Sequence, residues 1–202
     1  SPFITENSEY VVAGTRFSIP MDNSNGGVPI NTYKQNFRGT LSFIAVDKTS
    51  GNMKINFQIL LPGVNFDLAR AGKGKSHGWF FFSCYNSERA NTLLEVNASQ
   101  KDKDFILCVN WKKAEEYLAA GKGQKKSVSY AHNVYDEQKH MATSTLEKEV
   151  IMLDPKECPD MVYFMPCPKS PHGCDTDPTG EYIVGSGKLA ATITVHSFSK
   201  LI

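Results

Sequence analysis

Short runs of β-branched and aromatic residues, separated by turn-forming residues, dominate the chain and predict strands. The clearest runs lie at 10–17, 41–46 and 54–60, and the polar segment 47–52 between the last two predicts a hairpin loop. Six further runs predict strands at 79–84, 105–109, 149–153, 162–165, 181–184 and 192–195. The pattern therefore predicts an all-β fold.

Helical signals are few. Residues 110–119 are rich in helix formers, begin with Asn110 as a capping residue and are followed by Gly121. This segment predicts a short helix inside a long connection between strands. A second, weaker helical pattern covers 135–146.

A short internal repeat suggests how the strands are grouped. Residues 9–14 resemble residues 181–186, and each of these strands is followed by a second strand that ends in a polar turn, at 40–47 and 192–197. A middle copy pairs 78–82 with 104–109. Recurring strand pairs favour about three blades of a β-propeller, fewer than the roughly 4–8 that close one. A β-sandwich is the alternative.

Composition narrows the classes of function. The 202 residues carry a formal net charge of +1 and are 41% hydrophobic. This balance gives no electrostatic case for a nucleic-acid or membrane-surface partner. Apolar runs are all shorter than the roughly 20 residues of a membrane helix. The start of the chain lacks both an initiator methionine and a signal-peptide pattern, which predicts a processed product or a fragment.

Two segments carry motifs that resemble known sites without fitting them. Residues 69–76 match a loose phosphate-loop pattern, but a strand rather than a helix is predicted to follow, so we expect a surface loop. The five cysteines form no CxxC pair, and their odd number argues against a disulfide framework. Their spacing also fits no standard structural zinc site.

His172 is the histidine with the most suggestive surroundings. Pro171 before it and Gly173 after it predict a rigid, open turn. An imidazole held there can point along a propeller axis while a neighbour fixes its second nitrogen, as metal-bound histidines require. From the residues alone, an ordinary loop histidine is the commoner case. The other four histidines, which we expect to be exposed or hydrogen-bonded, are His77, His132, His140 and His196.

Three ordered motifs resemble nitrous oxide reductase. The first is His172-Gly173-Cys174-Asp175 followed by residues 180–184 and 187–189, and the second is Cys84-Tyr85-Asn86-Ser87-Glu88. The third, residues 94–105 and 110–116, resembles the atypical or second clade of these enzymes. Together the motifs extend the resemblance over nearly the whole chain.

The resemblance implies a fold and metal sites. Residues 1–202 would be a fragment of the N-terminal seven-bladed propeller, without the C-terminal cupredoxin domain. His172 would be one of seven histidines that bind a sulfide-bridged four-copper cluster. Tyr85, Glu88 and Asp104 would bind a structural calcium, although Ser170 stands where many relatives have asparagine. Lys188 could add positive potential near the hub or simply face solvent.

The resemblance also implies an activity for the larger protein. Nitrous oxide would be reduced to dinitrogen in the periplasm by a head-to-tail homodimer. Electrons would come from a cytochrome or cupredoxin donor through a binuclear copper site in the cupredoxin domain of the partner subunit. The fragment would be inactive alone. The rival hypothesis is a non-catalytic propeller-like scaffold that binds another protein, in which His172 is structural.

Overall fold

The computed structural model describes residues 2–14, 19–20, 37–62, 65–85, 104–134, 142–167 and 170–202. Within these ranges the chain is mostly β-structure with one α-helix, and the strands pair mainly antiparallel. The elements are β1 Phe3–Ile4, β2 Tyr10–Gly14, β3 Ile19–Pro20, β4 Phe37–Val46, β5 Met53–Pro62, β6 Asn65–Ala71, β7 Trp79–Tyr85, β8 Phe105–Asn110, α1 Trp111–Ala119, β9 Gln124–Val134, β10 Ala142–Leu153, β11 Val162–Pro166, β12 Pro171–Thr176, β13 Tyr182–Gly187 and β14 Ile193–Ser197.

The strands form three sheets, each built around an antiparallel meander. The first runs β1-β2-β4-β5 and is extended by β10 and β9, while β3 pairs with β4. The second runs β6-β7-β8-β11, and the third runs β12-β13-β14. All three strand pairs predicted from the repeat are confirmed: β2 pairs with β4, β7 with β8, and β13 with β14.

Alternation explains the core of the first sheet. In β4, Leu41 and Phe43 are fully buried, whereas Ser42 between them is only partly buried. Phe43 stacks on Phe57 of β5, with ring centroids 4.6 Å apart and planes 9° from parallel. Tyr10 of β2 packs edge-on against both rings. One face of this sheet is therefore a continuous apolar surface.

The second sheet is covered on both faces. Phe80 and Phe82 of β7 belong to the same core as Phe43 and Phe57 of the first sheet. Phe81, which faces the other way, lies in a second core with Ile183 of the third sheet. This double burial explains why residues 79–84 are apolar without alternation. The three sheets pack in series, with the second in the middle.

The helix predicted at 110–119 is confirmed as α1. The Asn110 side chain caps it by accepting a hydrogen bond from the backbone N–H of Lys113 at 3.0 Å. Trp111 and Ala114 are buried beneath it. The helix ends before Gly121, which has a φ of 70°. This left-handed conformation suits glycine at the end of a helix.

Several local predictions are wrong. The weak helix at 135–146 is contradicted at residues 142–146, which belong to β10, and 135–141 lie outside the described residues. The surface loop expected at 69–76 is instead the end of β6 followed by a short 3-10 turn, and Ser76 in that turn is fully buried. The turn expected around His172 is strand β12.

The limits of the structure bear on two further predictions. The strand predicted at 10–17 is confirmed as far as Gly14, and 15–17 lie outside the described residues. The sheets of the described residues do not close into a propeller ring. In the same part of the chain, no helix has the length and apolar character needed to cross a membrane.

Candidate functional site

The first strands of the second and third meanders, β6 and β12, lie beside each other. Arg70 of β6 forms a salt bridge with Asp175 of β12, with nitrogen and oxygen 3.4 Å apart. The Thr176 hydroxyl donates a hydrogen bond to the backbone carbonyl of Ala71 at 3.2 Å. These contacts bring side chains from two distant parts of the sequence to one place.

His172 and Asp67 meet across these strands. The Nδ1 atom of His172 lies 2.7 Å from Oδ2 of Asp67. The Asp67 side chain is only 7% exposed, whereas that of His172 is 59% exposed. Because a carboxylate only accepts, Nδ1 carries the hydrogen of this contact. In neutral His172 the lone pair is then on Nε2, the tautomer and second contact typical of a metal-ligating histidine.

A cavity of about 240 Å³ adjoins this pair. Apart from the two polar side chains its walls are mainly aromatic and aliphatic, and buried Asp67 is held against them, whereas His172 remains largely exposed. The lining residues are Phe3, Gly14, Phe66, Asp67, Leu68, Phe82 and His172.

Asp67 lies in a β-bulge of strand β6. The register between β6 and β7 shifts between Phe66 and Ala69. Within this irregularity, the buried hydroxyl of Ser83 accepts a hydrogen bond from the Leu68 N–H at 3.2 Å and donates one to the Leu68 carbonyl at 3.1 Å. Ser83 thus replaces ladder bonds that the bulge removes, and the backbone around Asp67 is held in place.

Asp104, which immediately precedes β8 of the second sheet, contacts the residue before β12 of the third sheet. It is 2% exposed, and its Oδ2 accepts a hydrogen bond from the backbone N–H of Ser170 at 2.6 Å. Ser170 is fully buried with a φ of 55°, and its carbonyl accepts from the N–H of Lys188 at 2.9 Å. Asp104 therefore fixes Ser170, which immediately precedes β12 and lies two residues before His172.

The predicted calcium residues are brought together only in part. Tyr85 is the last residue of β7, and Asp104 immediately precedes β8. Because Cys84 pairs with Phe105, Tyr85 and Asp104 lie at the same end of the second sheet. Glu88 lies outside the described residues. Within the described ranges, no three histidine, cysteine, aspartate or glutamate side chains converge as a metal-binding group.

The other histidines are engaged where the structure describes them. His77 lies between Glu6 and Glu9, and Nε2 of His196 is 2.9 Å from the Pro166 carbonyl. Both agree with the prediction that these histidines are exposed or hydrogen-bonded. His140 and the side chain of His132 lie outside the described residues.

The cysteines are free thiols, and most are buried. Burial, with smaller contributions from nearby Cys167 and Asp175, raises the pKa of Cys174 to about 12. Burial likewise raises the pKa of Cys108 well above its ordinary value. Because metals and electrophiles react with the thiolate, these two side chains behave as small core residues.

Comparison with known proteins bears on the family. No family model matches the chain. The chain is 26% identical over 196 residues to the nitrous-oxide reductase of Pseudomonas fluorescens, and 26% identical over 201 residues to that of Stutzerimonas stutzeri. Each match covers 96% of this chain and 26% of the relative. The chain thus spans about a quarter of the length of these curated relatives, and the distant resemblance inferred from its motifs is confirmed.

Proposed function

We propose that this chain is a propeller segment of a nitrous-oxide reductase and that it contributes His172 as one ligand of the copper cluster. The larger protein would reduce nitrous oxide to dinitrogen and water. The observation that carries the proposal is the contact between His172 and buried Asp67, found in a chain that is similar to these reductases over 96% of its length.

The three meanders are the proposed blades. Support comes from their packing in series and from the side-chain contacts between first strands β6 and β12, which would line the central axis. The edge strand β14 leaves Ile193 64% exposed and Val195 57% exposed. A further sheet packed in the same manner would cover these two side chains.

His172 and Asp67 have the chemistry of a copper-binding histidine and its supporting carboxylate. In the described part of the chain, Nε2 of His172 has no hydrogen-bond partner, while Nδ1 is held by Asp67. Imidazole suits copper, and a carboxylate behind it fixes the tautomer and raises its basicity. The cluster, when bound, would supply the electrons that reduce nitrous oxide. Asp67 would orient the ligand, and the walls formed by Phe66 and Phe82 would provide its apolar surroundings on the side of the cavity.

The proposed calcium ligands are Tyr85, Glu88 and Asp104. A buried carboxylate such as Asp104 matches the preference of calcium for oxygen ligands. Its Oδ2 accepts a hydrogen bond from the N–H of Ser170, which holds this carboxylate beside the start of β12. Calcium bound there would stiffen the connection that leads into β12 and His172.

Other features of the proposal belong to the larger protein. These are a periplasmic location, a head-to-tail homodimer and a cupredoxin domain supplied by the partner subunit. An external cytochrome or cupredoxin would donate the electrons.

The decisive experiment replaces His172 with alanine in the full-length protein. We expect the variant to bind fewer copper ions per protomer and to lose nitrous oxide reduction with an artificial electron donor. His196→Gln is the matched control because His196 is also hydrogen-bonded but lies on β14, away from the cavity. Normal copper content and activity in the His172 variant would contradict the proposal. A full-length protein that binds no copper and instead captures a protein partner would favour the scaffold.

A further inference from the structure

His77 lies between two carboxylates that come from the turn joining β1 and β2. Its Nδ1 atom is 3.0 Å from Oε2 of Glu6, and its Nε2 atom is 3.0 Å from Oε1 of Glu9. The three side chains are 20–31% exposed. The edge of the His77 ring also meets Trp111, with centroids 5.6 Å apart and planes at 86°.

The protonation state of His77 decides how many of these contacts it can make. A neutral imidazole has one N–H and can donate to one carboxylate, so its other nitrogen would face an acceptor with a lone pair. An imidazolium donates from both nitrogens. The observed pair of contacts therefore matches the charged form, and histidine is the side chain that ordinarily changes charge between about pH 5 and 8.

We infer that Glu6, His77 and Glu9 form a proton-dependent clamp, which holds the β1–β2 turn more tightly to the second sheet while His77 is protonated and less tightly when His77 becomes neutral. The inference is independent of copper and of the proposed function.

The charged groups around the clamp are already engaged in other contacts. Lys75 is paired with Glu181 at 3.2 Å, and Lys112 lies over the Trp111 ring at 5.8 Å. In the described part of the chain, the salt bridges of Glu6 and Glu9 are both made with His77. The titratable and charged groups that face this region are Glu6 and Glu9 from the β1–β2 turn, Lys112 and Glu115 from α1, Lys73 and Lys75 from the turn before β7, and Glu181 from the third sheet.

Backbone N–H groups also hold the two carboxylates, one from the turn itself and one from the segment before β7. Glu6 also accepts a hydrogen bond from the N–H of Gly74 at 3.2 Å, and Glu9 accepts one from the N–H of Asn7 at 3.1 Å. Burial raises the pKa of Glu9, but hydrogen bonds from Thr5 and the backbone and the charge of His77 outweigh it, so the pKa is lowered. This contribution of Glu9 is present above the ordinary glutamate pKa and is lost as the pH falls through the lowered value.

The clamp controls a strand that reaches the His172 cavity. Phe3 of β1 lines that cavity, and Glu6 and Arg70 line a neighbouring cleft of about 500 Å³. A weaker hold on the turn would let β1 move away from β6 more often. The cavity beside His172 would then be wider at neutral pH than at mildly acidic pH.

Hydrogen–deuterium exchange of the full-length protein tests the clamp. After correction for the intrinsic effect of pH on exchange, we expect protection of residues 2–14 to fall about two- to five-fold between roughly pH 5.5 and 8, the range expected for partly exposed ion pairs. His77→Gln should remove this dependence and leave protection low throughout. His196→Gln, the matched control, should behave as the unmodified protein does.

A second variant keeps the test decisive if His77→Gln fails to fold. In Glu9→Gln, the amide can accept from protonated Nε2 or donate to neutral Nε2, so the pH-dependent change in protection should shrink. Unchanged pH dependence in this variant, or in folded His77→Gln, would overturn the inference. Because the readout is exchange at 2–14, it does not depend on whether the protein binds copper.

Discussion

His172 and His77 both lie beside carboxylates, but the two sites use the imidazole in opposite ways. At His172 one buried carboxylate holds Nδ1, and the rest of the side chain is largely exposed. At His77 both ring nitrogens meet carboxylates from a single turn. One arrangement leaves a lone pair for a ligand, whereas the other consumes both nitrogens. Thus whether the second ring nitrogen of a histidine also meets a carboxylate distinguishes a candidate metal ligand from a residue that forms ion pairs.

The largest change in copper affinity is expected for Asp67→Ala in the full-length protein, which removes the carboxylate beside His172. We expect copper affinity to fall roughly 10–100-fold, as is typical when the partner behind a metal-bound histidine is lost. Asp67→Asn should cost less because its amide oxygen still accepts from Nδ1. Copper titration with a competing chelator measures both, and exchange at residues 2–14 should not change in either. Equal affinity in all three proteins would show that Asp67 does not position His172.

Ser83→Ala tests the bulge that presents Asp67. The change leaves the N–H and carbonyl of partly buried Leu68 without the hydroxyl that satisfies them, so we expect the free energy of unfolding to fall by about 1–2 kcal/mol. Urea denaturation measures this loss. Ser127→Ala, at an exposed position in β9, is the control and should change stability by less than about 0.5 kcal/mol. An equally small effect at Ser83 would mean that the bulge is held by other contacts.

The smallest expected effect is the coupling free energy between His77 and Glu9. A double-mutant cycle with His77→Gln and Glu9→Gln should give a coupling free energy of about 0.2–1 kcal/mol at pH 6, because the pair is partly exposed. The coupling should be smaller at about pH 8 than at about pH 6, because a neutral imidazole can donate to only one of the two carboxylates. Denaturation at the two pH values provides the measurement. A coupling that is the same at both would show that the contact does not depend on the proton.

The sequence predicted the strands whose apolar residues either alternate or form a continuous run. β4 was found through alternation and β7 through its continuous aromatic run, and the internal repeat correctly paired β2 with β4 and β13 with β14. β6 and β12 were missed because their apolar residues are interrupted by polar ones and by glycine. β10 was mistaken in part for a helix, since residues 142–146 offer no clear apolar alternation to mark a strand.

The site was predictable only where one local motif carries it. His172 stands in a recognisable motif, but Asp67 is 105 residues away in the sequence. Its position depends on the bulge in β6 and on the packing of β6 against β12, and neither has a local signal. The same is true of the 66-residue separation between Asp104 and Ser170. Contacts of this kind arise from the arrangement of sheets and cannot be read from spacing.

The burial of the second sheet on both faces has a consequence for synthesis on the ribosome. β8 ends at Asn110, but β11, which completes that sheet, begins only at Val162, and Ile183 covers the far face later still. At about 5–20 residues per second, the edge of β8 waits on the order of 3–10 s for its partner strand. During that interval the aromatic run of β7 lies in an unfinished sheet. Exposed strand edges and unburied aromatic residues of this kind would favour chaperone binding to the nascent chain at this stage.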